Sequence, residues 1–300
     1  MMMRTALVCL LGAAVALGEI HHNPGSTTPV PLEKYIHVVS EAVSPIQQTY
    51  IKAKDGLYIA AAIRKPKGEG RFPAIIMFHG APGGRGMEQL VTWSRGDFGG
   101  PVWERFLQEG YVVIVADYRG GDFNLMAAPN TSGIITAIDD GLTVIDYVKA
   151  LPYVDPARLN LYGVSLGGNL VMQLVSRVNV NAAIVGAPAA IWFLGIKTPP
   201  VPDSKPDPEI SRQNIESIKT PVLILQGTAD RLLPIATMLH DSLAAAGKSV
   251  RMETYENGYH DFCLGPQGQK RSDLPHGEFL MDAALDALEK SVLFVKGKLR

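Results

Sequence analysis

The sequence predicts an α/β protein: one mostly parallel, twisted sheet with helices on both faces. Short runs such as Pro73 to Phe78, Tyr111 to Ala116 and Pro221 to Gln226 are apolar throughout, as strands buried on both faces must be. Segments of helical spacing stand between them, for example Ile138, Leu142, Ile145 and Val148. The chain of 300 residues, 47% of them hydrophobic, is long enough for a single large core.

In chain order, the first segment falls outside that fold. Met1 to Arg4 give a short, singly charged start, and Thr5 to Gly18 form an apolar run. Its 14 residues fall short of the roughly 18 that a membrane span needs. Ala16-Leu17-Gly18 supplies small residues where a signal peptidase reads. The expectation is a cleavable signal peptide over 1–18, a mature chain from near Glu19 without a membrane span, and a secreted or periplasmic location. Of the two cysteines, Cys9 lies in this run, so Cys263 is left without an internal partner and reads as a small buried apolar residue. Residues 19–45, with Pro24, Pro29, Pro31 and Pro45, read as an irregular lead-in. The single folded domain is expected over 46–300.

Tyr50 to Lys54 and Leu57 to Arg64, joined at Asp55-Gly56, give an N-terminal hairpin. Alternation follows: strand Pro73 to Phe78, helix Pro101 to Gln108, strand Tyr111 to Ala116, helix Ile134 to Ala150, strand Leu159 to Tyr162, helix Leu166 to Arg177 and strand Asn181 to Gly186. Strand Pro221 to Gln226, helix Pro234 to Ala246, strand Val250 to Tyr255 and helix Glu278 to Lys298 complete the chain. Between the sixth and seventh strands, 189–218 breaks the alternation with Ile191-Trp192-Phe193-Leu194 and a proline-rich stretch. It reads as a small cap insertion, with Trp192 and Phe193 as substrate-binding residues.

The net charge is -1, from 28 basic and 29 acidic residues without a long basic run, which argues against nucleic acid or an anionic membrane as partner. Asn130-Thr131-Ser132 is a glycosylation acceptor pattern. No motif sets the oligomeric state.

The candidate chemistry starts at Gly163-Val164-Ser165-Leu166-Gly167. A chain that passes from strand to helix within one or two residues holds the middle residue in a strained conformation, so the residues two positions away must be nearly free of side chain. The Ser165 hydroxyl then stands clear at the sheet's edge, and the Leu166 N–H points where charge would develop on an attacked carbonyl.

A serine needs a base, and the base an orienting acid. Of seven histidines, His260 sits in the loop after the last strand, where it can reach across the strand ends, and His276 is a reserve candidate. Gly227-Thr228-Ala229-Asp230 follows the preceding strand and offers Asp230 as the acid, whereas Ala187-Pro188-Ala189-Ala190 one strand earlier has no carboxylate. Asp261, adjacent to the base, reads as structural. The glycine-rich turn His79-Gly80-Ala81-Pro82-Gly83-Gly84 can supply a second oxyanion donor from the Ala81 N–H. It lacks the Gly-Lys-Ser/Thr ending of a phosphate loop, and no cofactor is called for. The only histidine pair near ligand spacing is His21-His22 in the lead-in, so no metal is expected.

With His79-Gly80-Ala81-Pro82, Asp117-Tyr118-Arg119-Gly120, Gly163 to Gly168, Gly227 to Asp230 with Pro234, and Gly258-Tyr259-His260-Asp261-Phe262, the chain resembles the catalytic domain of the prolyl oligopeptidase family and its dienelactone-hydrolase-like relatives. The resemblance implies the α/β-hydrolase fold, the triad order Ser165, Asp230, His260, and a supporting role for Asp117 and Arg119. Peptidase members commonly carry a propeller ahead of this domain, which the residues before the hairpin are too few to form. Some members place an oxyanion-donating tyrosine where this chain has His79, and a dienelactone hydrolase proper has cysteine where this chain has Ser165.

The expected function is an exported serine hydrolase acting on a small-molecule ester or a short peptide. A carboxylesterase with no peptidase activity is the alternative. A binding protein that retains the hydrolase fold is the alternative of another class.

Overall fold

The computed structural model of the chain describes residues 45–81, 83–93, 100–119, 131–196, 204–264 and 278–299. The expected signal peptide, all but the last residue of the lead-in, Asn130 and His276 lie outside the described residues.

The hairpin forms from β1 (Gln47–Lys52) and β2 (Tyr58–Arg64), paired antiparallel from Gln47 opposite Ile63 to Lys52 opposite Tyr58. Its turn follows from Asp55-Gly56: the Asp55 carboxylate accepts the Leu57 N–H at 3.1 Å, and Gly56 takes a φ of 87°.

The remaining strands are β3 (Phe72–Phe78), β4 (Val112–Ala116), β5 (Val154–Val164), β6 (Ala182–Gly186), β7 (Val222–Gly227) and β8 (Val250–Tyr255). The sheet order is β1-β2-β4-β3-β5-β6-β7-β8. Only the β1/β2 and β2/β4 pairs are antiparallel, so β3 to β8 all end on one edge. β5 begins five residues before the run read from sequence, because Phe72 pairs with Val154 ahead of a register shift.

Seven helices flank the sheet among the described residues: α1 (Gly86–Trp93), α2 (Gly100–Gln108), α3 (Thr131–Ala150), α4 (Leu166–Val175), α5 (Pro208–Glu216), α6 (Leu233–Ala245) and α7 (Glu278–Val295). Strand residues alternate between two cores. Ala74, Ile76 and Phe78 of β3 join Val171, Leu174 and Leu239 under α3, α4 and α6. Ile75 and Met77 join Leu90, Phe106 and Val292 under α1, α2 and α7. α1 was not read from the sequence, although Met87, Leu90 and Val91 carry helical spacing and are buried.

The insertion after β6 differs from the cap expected over 189–218. Its described start, Ala189 to Ile196, is buried except for a half-buried Trp192 and Gly195. Phe193 belongs to the core beside α4, where its N–H donates to Asn169 Oδ1 at 3.2 Å. α5 ties down the same turn: Asn214 Nδ2 donates to the Phe193 carbonyl at 2.7 Å and Ser211 Oγ to the Leu194 carbonyl at 3.0 Å.

Candidate active site

The end of β5 and the start of α4 meet at Ser165, whose φ of 57° and ψ of −116° lie far from the conformations L-residues prefer. Such strain, of order 1–3 kcal/mol, persists only where the surroundings over-determine it. Here the Ser165 N–H donates to the Gly186 carbonyl at 2.9 Å, and the Ser165 carbonyl accepts the N–H groups of Asn169 at 3.1 Å and Ala189 at 2.9 Å. The flanking glycines are required by contact. A β-carbon on Gly163 would stand 2.2 Å from the Gly167 carbonyl oxygen, and one on Gly167 would stand 2.1 Å from that of Phe78. The second contact lays α4 directly on the end of β3.

That contact brings the loop after β3 beside Ser165. A β-carbon on Gly80 would lie 3.4 Å from the Ser165 Cβ, and Ala81 lines the same cavity as Ser165. The loop is held from below by Asp117, buried at the end of β4. Asp117 Oδ1 accepts the N–H groups of Gly84, Arg85 and Tyr118 at 3.0, 3.1 and 2.8 Å, and Oδ2 accepts that of Gly86 at 2.8 Å. His79 Nε2 also meets Oδ1, at 3.1 Å. Burial opposes ionisation of this carboxyl, but its bonds to His79 and to backbone N–H groups prevail and hold it below the usual carboxylate range. Tyr118 stacks on the His79 ring at 4.6 Å and donates its hydroxyl to the His79 carbonyl at 2.8 Å. Arg85 donates to the Ala81 carbonyl. The Leu166 N–H opens α4 and so has no acceptor within the helix.

Asp230 and His260 meet across the ends of β7 and β8, with Nδ1 of the imidazole 3.0 Å from Oδ2 of the carboxylate. The two loops are laced together: Ala229 donates to the Gly258 carbonyl at 3.0 Å, Thr228 to that of Tyr255 at 2.9 Å, and Asn257 to Thr228 Oγ1 at 2.8 Å. The Asp230 side chain is 1% exposed, whereas that of His260 is 41% exposed, so the carboxylate is dry and the ring reaches solvent. Burial works against the Asp230 charge, yet hydrogen bonds from His260, the Leu232 N–H and Gln226 outweigh it and keep this carboxyl below its ordinary value. With Nδ1 engaged, Nε2 is the ring nitrogen left for chemistry.

Ser165, Ala81 and His260 line one cavity of about 450 Å³, together with Gly80, Val164, Leu232 and the polar side chains of Arg85, Gln89, Arg231 and Asp261. Asp261, read from sequence as structural, therefore faces this space. Neither Trp192 nor Phe193 borders it. Phe193 packs into the core and Trp192 lies half-buried against it, so their nearness to the site in sequence does not carry over to space. Cys263 is buried as expected, and burial pushes its thiol up to about 12. Among the described residues, no group of three or more His, Cys, Asp or Glu could hold a metal, and no helix is long and apolar enough to cross a membrane.

Sequence reading missed Arg85, Gln89 and Arg231 as cavity residues and Gln226 as a partner of Asp230. Gln226 had one visible signal: it is the polar last residue of an otherwise apolar strand run.

The sheet order, the elbow and the edge that gathers these loops define an α/β hydrolase by fold. The chain matches the dienelactone hydrolase family over residues 59–292 and belongs to it. It is similar to the quorum-quenching protein AidA of Acinetobacter baumannii (strain MDR-ZJ06), 30% identical over 126 residues, 42% of this chain and 38% of that protein. It is also similar to acylamino-acid-releasing enzyme 2 of Oryza sativa subsp. japonica, 25% identical over 296 residues, 86% of this chain and 37% of that protein. The chain thus spans less than two thirds of the length of these relatives. Among solved structures, a putative dienelactone hydrolase from Klebsiella pneumoniae subsp. pneumoniae MGH 78578 superposes with a TM-score of 0.61 at 18% identity, covering 85% of this chain and 99% of that one. The likeness is one of fold.

Proposed function

We propose that the protein is an exported serine hydrolase that cleaves small esters, and amides of comparable size, through an acyl-enzyme. The observation that carries this reading is the 3.0 Å bond between His260 Nδ1 and Asp230 Oδ2, beside a cavity that also holds Ser165 at its strained turn. Ser165 Oγ attacks the substrate carbonyl while His260 Nε2 takes the hydroxyl proton. Asp230 fixes the ring's tautomer and stabilises the imidazolium. The N–H groups of Ala81 and Leu166 receive the oxyanion. The intermediate collapses by expelling an alcohol or amine, which leaves with the proton from His260. Water then repeats the sequence on the acyl-enzyme and frees the acid.

A cavity of about 450 Å³ suits a small acyl group or a short peptide end. Membership of the dienelactone hydrolase family favours esters. A second reading, release of an acylated amino acid from a peptide, draws on the likeness to acylamino-acid-releasing enzyme 2 over 86% of this chain. Export rests on the apolar run 5–18 and its small-residue end. Turnover of short-chain p-nitrophenyl esters against acyl-aminoacyl amides separates the two substrate readings. Faster ester turnover supports the first, and amide turnover that exceeds it overturns that preference.

A further inference from the structure

Gln226 occupies a position that the local pattern reserves for a hydrophobic residue. It follows Val222 and Ile224 on one face of β7, both of which join the core beneath α4 and α6. Gln226 is just as buried, but it is polar. Its Nε2 donates to Asp230 Oδ2 at 3.0 Å and to the Gly227 carbonyl at 3.0 Å. Its Oε1 is buried with no hydrogen-bond partner among the described residues. Chemistry fixes which end of the amide points where, since a reversed amide would set its oxygen against two acceptors. The side chain is therefore kept for its donor, with its acceptor left unmatched.

That donor reaches the same carboxylate oxygen as His260 Nδ1, while Asp230 Oδ1 accepts the Leu232 N–H at 3.0 Å. We propose that Gln226 is a positioning residue for the reaction: a neutral donor that fixes the Asp230 carboxylate and shares its charge with His260, so setting how strongly the imidazolium is held. This rests on the proposed Ser165–His260–Asp230 reading. A cation in its place would compete with the imidazolium for the carboxylate, and an apolar residue would leave more of the anion's charge on His260 alone. Gln226 does not touch the cavity; it acts through Asp230. The other charged side chains at the cavity are Arg85, Arg231 and Asp261, and the thiol of Cys263 is buried close by. All four stay in place in the variants below.

The test uses Gln226→Met, which keeps length and removes the donor, and Gln226→Glu, whose carboxyl donates only while protonated. Asp230→Ala and His260→Ala run in parallel, with the pH profile of kcat/KM on p-nitrophenyl acetate and the melting temperature as readouts. The expected result for Gln226→Met is a kcat lower by about tenfold or more with KM nearly unchanged, and an acid limb moved to higher pH. Gln226→Glu is expected to add an alkaline fall in rate that the parent lacks, and it decides the matter if Gln226→Met does not fold. Unshifted profiles in both variants, even with a lower melting temperature, would reduce Gln226 to packing and overturn the inference. If Asp230→Ala and His260→Ala kept the parent's turnover, the triad reading itself would fall.

Discussion

Gly227 and Gly258 meet backbone to backbone: a β-carbon on Gly227 would stand 2.1 Å from the Gly258 carbonyl oxygen. This contact closes the loops after β7 and β8 on each other and sets the distance at which Asp230 and His260 bond. Gly227→Ala must push the loops apart, at a cost of about 1–3 kcal/mol from overpacking. We expect a melting temperature lower by several degrees together with a kcat reduced at least tenfold. Gly247→Ala, at a φ of 67° with open space around it, is the control. It should lose about 1–2 kcal/mol to backbone strain and leave kcat alone. A Gly227→Ala protein that melts early yet turns over normally would contradict this account of the loops.

Asp117 gathers the turn after β3 under one carboxylate, and its folded-state ionisation lies below the ordinary range because donors outweigh burial. The stabilisation it gives is complete above the unfolded value of about 3.9 and is lost as pH falls through the lower folded value. Asp230, lowered in the same direction, adds to the same acid-side loss. Asp117→Asn places one acceptor and two donors before a ring of donors, and should cost about 2–4 kcal/mol at pH 7. Urea melts between pH 7 and pH 3 should therefore show a shallower acid-side loss in Asp117→Asn than in the parent. Parallel curves offset by a constant would show that the Asp117 charge contributes nothing.

Phe193 fills core volume beside α4, away from the cavity at Ser165. Phe193→Ala should cost about 3–5 kcal/mol, the usual range for an emptied aromatic site. KM for short-chain esters should stay within about twofold, since no cavity contact is removed. A changed ester preference at unchanged stability would return Phe193 to a substrate-binding role.

The strand and helix sequence was legible because a parallel sheet buried on both faces leaves continuous apolar runs, and β3, β4, β6 and β7 sit within a residue or so of where those runs lie. Ser165, Asp230 and His260 were legible for a local reason: each follows a strand end, and parallel strands deliver their ends to one edge. What the sequence hid depends on contacts distant along the chain. Phe193 reads as a substrate-binding aromatic of a cap until Asn169 and Asn214 are seen to pin its backbone. Arg85 and Arg231 face the cavity because of loop packing that no spacing encodes. Gln226 looks like the end of a strand until its donor is found on Asp230.

Covalent capture shows whether His260 and Asp230 make Ser165 nucleophilic. The protein is incubated with a fluorophosphonate at neutral pH and the adduct is located by peptide mass spectrometry, alongside Ser165→Ala and His260→Ala. A single adduct is expected on the peptide carrying Ser165, absent in Ser165→Ala and formed at least a hundredfold or so more slowly in His260→Ala. An adduct on another residue, or labelling of Ser165 at the parent's rate without His260, would contradict it.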